Sequence, residues 1–149
     1  MIAPPGDEHF MRHALREAEQ AFAADEVPIG AVIVSKDRII ARGHNLVERL
    51  NDATAHAEMQ SITAAAEFIG GKYLHDCTLY VTVEPCVMCA GALNWCHIGR
   101  IVFGAFDEKG GYRRIGSTLL HPKTQVTGGV LEAECADLMK AFFKKKRAL

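Results

Sequence analysis

The chain has 149 residues, of which 49% are hydrophobic and 23% charged, and its formal net charge at pH 7 is −1. This composition is typical of a globular domain and excludes an intrinsically disordered chain. The near-neutral charge excludes a strongly basic nucleic-acid-binding domain, so any nucleic-acid contact must come from a local patch. We expect a single domain that spans residues 1–149.

Apolar residues at three- and four-residue steps predict an amphipathic helix over residues 7–25. Two β-branched runs at 31–34 and 38–43, separated by a Ser-Lys-Asp turn, predict an antiparallel hairpin. A polar loop over 44–53 then leads into a helix over about 55–68. We expect Thr54 to cap this helix, because threonine is a favoured N-cap residue.

Strands and helices alternate in the second half of the chain. The pattern predicts a strand at 78–83, a helix at 86–96, a strand at 100–104, an irregular stretch at 105–123, a short extended piece near 124–127 and a last helix from about Leu131. The last helix is expected to bury Leu131, Cys135, Leu138, Met139, Phe142 and Phe143. Strands separated by helices imply parallel pairing, with helices on both faces of the sheet.

Two short motifs carry the residues that can perform chemistry. The first, residues 54–58, contains His56 and Glu58, and the second, residues 85–89, contains Cys86 and Cys89. One imidazole and two thiols form a three-ligand zinc set, and catalytic zinc sites keep a position open for water, whereas structural sites are normally closed by four protein ligands. We therefore predict one Zn²⁺ per chain that activates water, with Glu58 as the acid/base group.

The spacing of the second motif supports this interpretation. Cys86 and Cys89 are three residues apart, so they share one face of a helix. Pro85 suits the first turn of that helix, and a helix N-terminus stabilises thiolates. On its own, a Cys-x-x-Cys pair is as typical of a redox pair or of two buried thiols as of a metal site, and the addition of His56 and Glu58 makes the pattern far more specific.

Membrane and secretory proteins are not indicated. No apolar run approaches the roughly 18–20 residues of a membrane span, and residues 1–8 lack the basic and apolar regions of a signal peptide. Cys77, Cys96 and Cys135 lie among apolar neighbours and are typical of reduced, buried thiols. These features predict a cytoplasmic protein.

Over almost its whole length the sequence resembles the cytidine-deaminase-like superfamily and, within it, the bacterial tRNA-specific adenosine deaminases. The resemblance is carried by Met11–Leu15, Glu26–Val32, Asp52–Glu58, Thr78–Ala92 and Ile98–Ala105. It implies an α/β fold, a three-layer α/β/α sandwich with a mixed, mostly five-stranded sheet, and a homodimer. It also implies zinc-dependent conversion of adenosine to inosine at the wobble position of a tRNA anticodon loop, with the target base flipped out of its stack.

The resemblance assigns roles to individual residues. His56, Cys86 and Cys89 match the zinc ligands, and Glu58 matches the residue that moves protons between water, the ring nitrogen and the leaving ammonia. Asn45 matches a residue that contacts the target nucleotide, although a loop asparagine also commonly caps a turn. Asp107 matches an aspartate in the loop beside the nucleic-acid strand.

Two other hypotheses remain open from the sequence. One is deamination of a free base or nucleoside, guanine first and cytosine next, because Asn94-Trp95 resembles bacterial guanine deaminases and the loop at 106–117 departs from the adenosine deaminase pattern. The other is a non-catalytic zinc-binding domain, which requires a fourth ligand from Cys77, Cys96 or His44. The basic residues near the C-terminus fit either a solvated helix end or a phosphate contact; they are Lys140, Lys144, Lys145, Lys146 and Arg147.

Overall fold

The structure is a computed structural model that describes residues 5–148. The predicted domain, 1–149, and the N-terminal segment considered for a signal peptide both include residues outside this described part. Within residues 5–148, no helix combines the length and the apolar character that crossing a bilayer requires.

Five strands and five α-helices follow one another within residues 5–148. They are α1 (Asp7–Ala23), β1 (Gly30–Ser35), β2 (Arg38–His44), α2 (Val47–Leu50), α3 (Ala57–Ile69), β3 (Cys77–Val83), α4 (Val87–Trp95), β4 (Arg100–Ala105), β5 (Gln125–Gly128) and α5 (Glu132–Arg147). Two short 3₁₀ helices, Tyr112–Arg114 and Ser117–Leu119, lie between β4 and β5. The predicted elements are confirmed, and α2 is an addition inside the segment that was predicted to be a loop.

The strands form one mixed sheet in the order β2-β1-β3-β4-β5. β1 pairs antiparallel with β2 and with β3, whereas β3, β4 and β5 pair in parallel. The predicted hairpin and the predicted parallel pairing are therefore both confirmed. Because of these directions, the start of β1 and the C-terminal ends of β2, β3 and β4 all lie at the same end of the sheet.

Two apolar layers cover the two faces of the sheet. One layer packs α1 and α5 against the sheet, through residues such as Met11 and Cys135. The other packs α3 and α4 against the opposite face, through residues such as Ala65 and Leu93. This arrangement is the predicted three-layer α/β/α sandwich, and its core includes the sheet residues Ile33, Leu79, Val81, Ile101, Val102 and Phe103, all at most 1% exposed.

The loop between β2 and α3 is held by a buried carboxylate. Glu26 accepts hydrogen bonds from the backbone N–H groups of Glu48 (3.0 Å) and Arg49 (2.8 Å). These are first-turn amides of α2, so Glu26 satisfies donors that a helix leaves unpaired at its N-terminus. Glu26 lies in the segment between α1 and β1, so its hydrogen bonds hold α2 close to the start of β1.

Two detailed predictions are wrong. Thr54 does not cap α3, because its hydroxyl and its N–H both donate to Oδ1 of Asp52 at 2.8 Å. The last helix buries fewer residues than predicted: Cys135 and Phe142 are buried, but Phe143 is exposed. Leu131, Leu138 and Met139 are only partly buried, because α5 lies at the surface and packs against the core with one side.

Candidate active site

Two helix N-termini bring the predicted metal ligands together. His56 is the N-cap residue of α3 and Cys86 is the N-cap residue of α4, while Cys89 lies in the first turn of α4. Nδ1 of His56 lies 3.6 Å from Sγ of Cys86 and 3.6 Å from Sγ of Cys89. Residues 33 positions apart in sequence thus present three ligand atoms within 4.8 Å of one another.

The donor set fits a tetrahedral zinc ion. With Zn–S bonds of about 2.3 Å and Zn–N bonds of about 2.0–2.1 Å, tetrahedral angles require a nitrogen-to-sulfur separation of about 3.6 Å. Both separations in the structure have this value. Within the described chain this is also the one group of three or more potential ligands, so it offers three protein ligands and leaves a fourth position for water or substrate.

The two thiols differ in their affinity for a proton. A hydrogen bond from Cys89 lowers the pKa of Cys86 to about 5. The same hydrogen bond, together with burial, raises the pKa of Cys89. The pair therefore holds one negative charge by itself, and a bound cation is what stabilises a second thiolate at this position.

Glu58 lies in the first turn of α3, directly beside the ligand group. Its side chain is buried, with only 3% of the residue exposed. Burial raises the pKa of the Glu58 carboxyl to about 7, because the charged form is desolvated. A carboxyl with a pKa near neutrality can both accept and donate a proton under physiological conditions.

Glu58 and the ligands His56 and Cys86 line a cavity of about 500 Å³. The segment before β1 and the helix α5 contribute mostly apolar residues to the same cavity, together with Lys140. A second cavity of about 520 Å³ adjoins the first, and the two share Val27, Ile29 and His56. The first cavity is lined by Val27, Ile29, His56, Glu58, Val83, Glu84, Cys86, Ala105, Phe106, Asp107, Gly110, Ala136, Met139, Lys140 and Phe143.

Asn45 lines the adjoining cavity and also caps the ligand-bearing helix. Its Oδ1 accepts a hydrogen bond from the N–H of Ala57 at 2.8 Å, which is the first residue of α3. The side chain is thus buried and fixed in orientation. Because Oδ1 already accepts a hydrogen bond from the helix, the NH₂ group is the part of Asn45 that is most available to a ligand.

Asp107 lines the first cavity from the loop after β4. Its Oδ1 accepts hydrogen bonds from the backbone N–H groups of Lys109 (3.2 Å) and Gly110 (2.9 Å). These bonds form a local turn that gives the loop a defined shape. The side chain lines the same cavity as Glu58, so the structure brings these two predicted residues to one site.

Sequence reasoning missed Glu84 and Arg113. Glu84 directly precedes Pro85, is buried, and accepts a hydrogen bond from the side chain of Arg113 at 3.2 Å. The two residues are 29 positions apart, and no motif or periodicity connects them. The one available signal is an acidic residue at the apolar end of a strand, where a buried charge needs a partner.

The residues that favoured other hypotheses lie elsewhere. Cys77 and Cys96 are buried in the apolar layer beneath α3 and α4, and Nδ1 of His44 lies 3.1 Å from Oε1 of Glu17. None of the three joins the ligand group within residues 5–148, so the closed four-ligand site is not formed. Trp95, at the end of α4, is 83% exposed and does not line the cavity.

Comparison with known proteins agrees with this site. Residues 5–105 match the family model described as the cytidine and deoxycytidylate deaminase zinc-binding region. The chain is 46% identical over 146 residues to the tRNA-specific adenosine deaminase of Bacillus subtilis, covering 95% of this chain and 91% of that protein.

Solved structures give the same fold. A structure from a study of A-to-I editing by tRNA:A34 deaminases superposes with a TM-score of 0.82 at 45% identity, covering 87% of this chain and 98% of that chain. The guanine deaminase of Bacillus subtilis superposes with a TM-score of 0.66 at 39% identity, covering 68% of this chain and 66% of that one. On the matched zinc-binding region and the near-complete alignment with its relatives, the chain belongs to the cytidine and deoxycytidylate deaminase family.

Proposed function

We propose that this protein is a zinc-dependent hydrolase that converts adenosine to inosine at the wobble position of a tRNA anticodon. The observation that carries the proposal is the buried carboxyl of Glu58 beside a three-ligand metal group, at the wall of a cavity that can accept a base. Relatives that align over more than 90% of both chains are named tRNA-specific adenosine deaminases. Guanine deaminase structures align either over about two thirds of each chain at 39% identity or over 95% of this chain at only 28% identity.

His56, Cys86 and Cys89 hold the metal in this proposal, and zinc bound there supplies Lewis-acid activation of a water molecule. Glu58 is the catalytic residue. Its carboxylate accepts a proton from the attacking water and delivers it to the ring nitrogen beside C6 of adenine. A second proton, from the added hydroxyl, passes through the same carboxyl to the amino group, which leaves as ammonia. Adenosine and water thus become inosine and ammonia.

The target nucleotide is oriented by residues on both sides of the cavities. The NH₂ group of Asn45 donates a hydrogen bond to the nucleotide, while Oδ1 keeps the side chain fixed on α3. Asp107 contacts the adjacent part of the strand from the loop after β4. The base must leave its stack to reach Glu58, which an anticodon loop allows at smaller energetic cost than a duplex.

The rim of the first cavity suits single-stranded RNA. Phe106 and Phe143 line it and are 41% and 42% exposed, so their rings are available for stacking on unpaired bases. Lys140 lines the same cavity and offers an ammonium group to a phosphate. A free purine base needs neither feature, which makes RNA the better match to this rim.

Deamination of free guanine is the competing function, and one experiment separates the two. Zinc-loaded protein is incubated with an anticodon stem-loop that carries a wobble adenosine and, separately, with guanine and cytosine. We expect inosine in the stem-loop and a KM that rises steeply with salt, because phosphate contacts release counterions on binding. Turnover of guanine without inosine formation would refute the RNA substrate.

We further propose that residues 1–149 form one domain that acts as a homodimer in the cytoplasm. Large apolar side chains are exposed on α4 and on the loop before β5, namely Trp95 and Ile115, which favours a protein contact. All five cysteines are free thiols, which suits a reducing compartment. Sedimentation velocity tests the dimer: we expect twice the chain mass, and a monomer at micromolar concentration would contradict it.

A further inference from the structure

The loop after β4 is anchored to the end of β3 by one buried carboxylate. The side chain of Glu84 is 1% exposed. Oε1 accepts the N–H of Asp107 (3.1 Å) and Nη2 of Arg113 (3.2 Å), and Oε2 accepts the N–H of Arg113 (3.2 Å). A buried carboxylate must be compensated by donors and positive charge, and all three of these donors come from the loop.

Backbone contacts draw the same loop toward the metal ligands. The N–H of Tyr112 donates to the carbonyl oxygen of Pro85 at 2.9 Å, and Gly111 forms a β-bridge with Cys86. A Cβ atom at Gly111 would lie 2.1 Å from Oε2 of Glu84, so only glycine permits this approach. Glu84 therefore links the loop to the segment that carries a metal ligand.

Arg113 extends this link to the rim of the cavity. Its guanidinium lies 4.6 Å from the ring centroid of Phe106 and 5.8 Å from that of Phe103. The Phe106 ring also packs edge-on against Phe103, with centroids 5.0 Å apart. Phe106 is thus held between a core ring and a guanidinium whose own position is set by Glu84.

We propose that Arg113 is a positioning residue, held by Glu84, that fixes the Phe106 ring as the wall against which the target nucleotide of the substrate packs. The inference rests on the proposed function for its substrate. It assigns a role to the loop in which the sequence departs from the adenosine deaminase pattern. Arg113 itself acts through Phe106 and needs no contact with the substrate.

The test compares Arg113→Ala with Arg114→Ala in zinc-loaded protein. Arg114 is the matched control, because it is exposed, lies one position later in the same 3₁₀ helix and carries the same charge. Two measurements are made on each variant: amide hydrogen exchange over residues 106–111 without substrate, and KM and kcat for the wobble-adenosine stem-loop. Phe106→Leu and the double variant with Arg113→Ala complete a cycle.

We expect Arg113→Ala to speed exchange and to raise KM about two- to fivefold, the loss given by one cation–π contact at a partly exposed site. kcat should change less, because packing against a fixed wall stabilises the ground state and the transition state alike. Arg114→Ala should leave exchange and KM close to wild type. In the Phe106→Leu background, Arg113→Ala should raise KM no further.

If Arg113→Ala and Arg114→Ala changed hydrogen exchange and KM equally, the contribution of Arg113 would be its positive charge alone, and the proposal would be overturned. The proposal would also be overturned if the increase in KM of the double variant were the product of the increases in the two single variants, because Arg113 would then act independently of the Phe106 ring. If wild type forms no inosine, the proposed function fails, and hydrogen exchange alone decides whether Arg113 holds the loop.

Discussion

A partly buried ion pair at the start of β4 joins α1 to the sheet, and its removal is the stability prediction that the structure defines best. Nη1 and Nη2 of Arg100 donate to the two carboxylate oxygens of Asp7 at 2.9 and 2.8 Å. The hydroxyl of Tyr80 donates to the same carboxylate at 2.9 Å, and Nη2 of Arg100 also reaches Thr127. The carboxylate of Asp7 thus connects α1 with β3 and β4, and Arg100 extends the contact to β5.

Asp7→Asn keeps the shape of the side chain and removes its charge. A hydrogen bond to a charged group contributes about 1.5–3 kcal/mol, and solvent screening reduces this value because each partner is about 30% exposed. We expect a loss of about 1–2 kcal/mol in the free energy of unfolding, measured by urea denaturation at pH 7. Asp25→Asn is the control: its pair with Lys146 is exposed, and we expect no measurable loss.

The pH dependence follows from the same pair. Hydrogen bonds from Arg100 hold the pKa of Asp7 below its usual value. A carboxyl with a lowered pKa in the folded state contributes stability above its unfolded-state pKa of about 3.9, and the contribution disappears as the pH falls through the folded-state value. The difference between wild type and Asp7→Asn should therefore vanish in acid. Equal stabilities at pH 7, or a difference that persists in acid, would refute this reasoning.

Three further predictions concern packing, metal and charge. Gly30→Ala should lower the free energy of unfolding by about 1–3 kcal/mol or more, because the new Cβ would lie 2.2 Å from the carbonyl oxygen of Ala14. Gly91 has open space around it, so Gly91→Ala should be neutral or stabilising by up to about 1 kcal/mol. Urea denaturation of both variants tests this prediction. A chelator should lower the Tm of wild type more than that of Cys86→Ala, since a metal that binds the folded state stabilises it; equal shifts would argue against Cys86 as a ligand. Lys140→Gln should reduce the slope of the logarithm of the RNA-binding constant against the logarithm of salt concentration by about 1. The ammonium of Lys146 already lies 2.6 Å from Asp25, so Lys146→Gln should reduce the slope less. An unchanged slope for Lys140→Gln would exclude a phosphate contact.

The cluster of His56, Cys86 and Cys89, with Glu58 beside it, could be anticipated because the sequence places these residues at the starts of two helices. His56 and Cys86 are the N-cap residues of α3 and α4. These two helices follow β2 and β3, whose C-terminal ends lie at the same end of the sheet. Glu58 follows His56 by two residues, so its place beside the ligands comes from the same turn. The sequence pattern was enough to identify these residues, but the contact between the start of α3 and the start of α4 depends on the long-range pairing of the strands that precede them.

The capping of α3 could not be predicted locally. Thr54 is a good N-cap residue by type, but Asp52 is two residues away and accepts its hydroxyl. The helix donor is instead satisfied by Asn45, twelve positions before Ala57, because the end of β2 lies beside the start of α3. The local sequence was therefore enough to predict α3, whereas its N-terminal cap depends on a tertiary contact with Asn45.

The cavity rim is the other part that sequence patterns missed. Phe143 continues the apolar periodicity of α5, and that pattern predicts burial, yet Phe143 is exposed while Cys135 and Phe142 are the buried residues of the helix. Likewise, the contact between Glu84 and Arg113 depends on how a 19-residue irregular stretch returns to β3. Such a path is determined by the donors that a buried carboxylate requires, not by periodicity.

The measurement that tests the account most directly is inosine formation by zinc-loaded Glu58→Gln in a wobble-adenosine stem-loop. This substitution keeps the size of the side chain and removes its ability to move protons. We expect one zinc per chain, as in wild type, and a fall in kcat of about 10²–10⁴-fold, the range that a general acid–base contributes. A variant that retains zinc and turns over within tenfold of wild type would contradict the assignment of Glu58 as the catalytic residue.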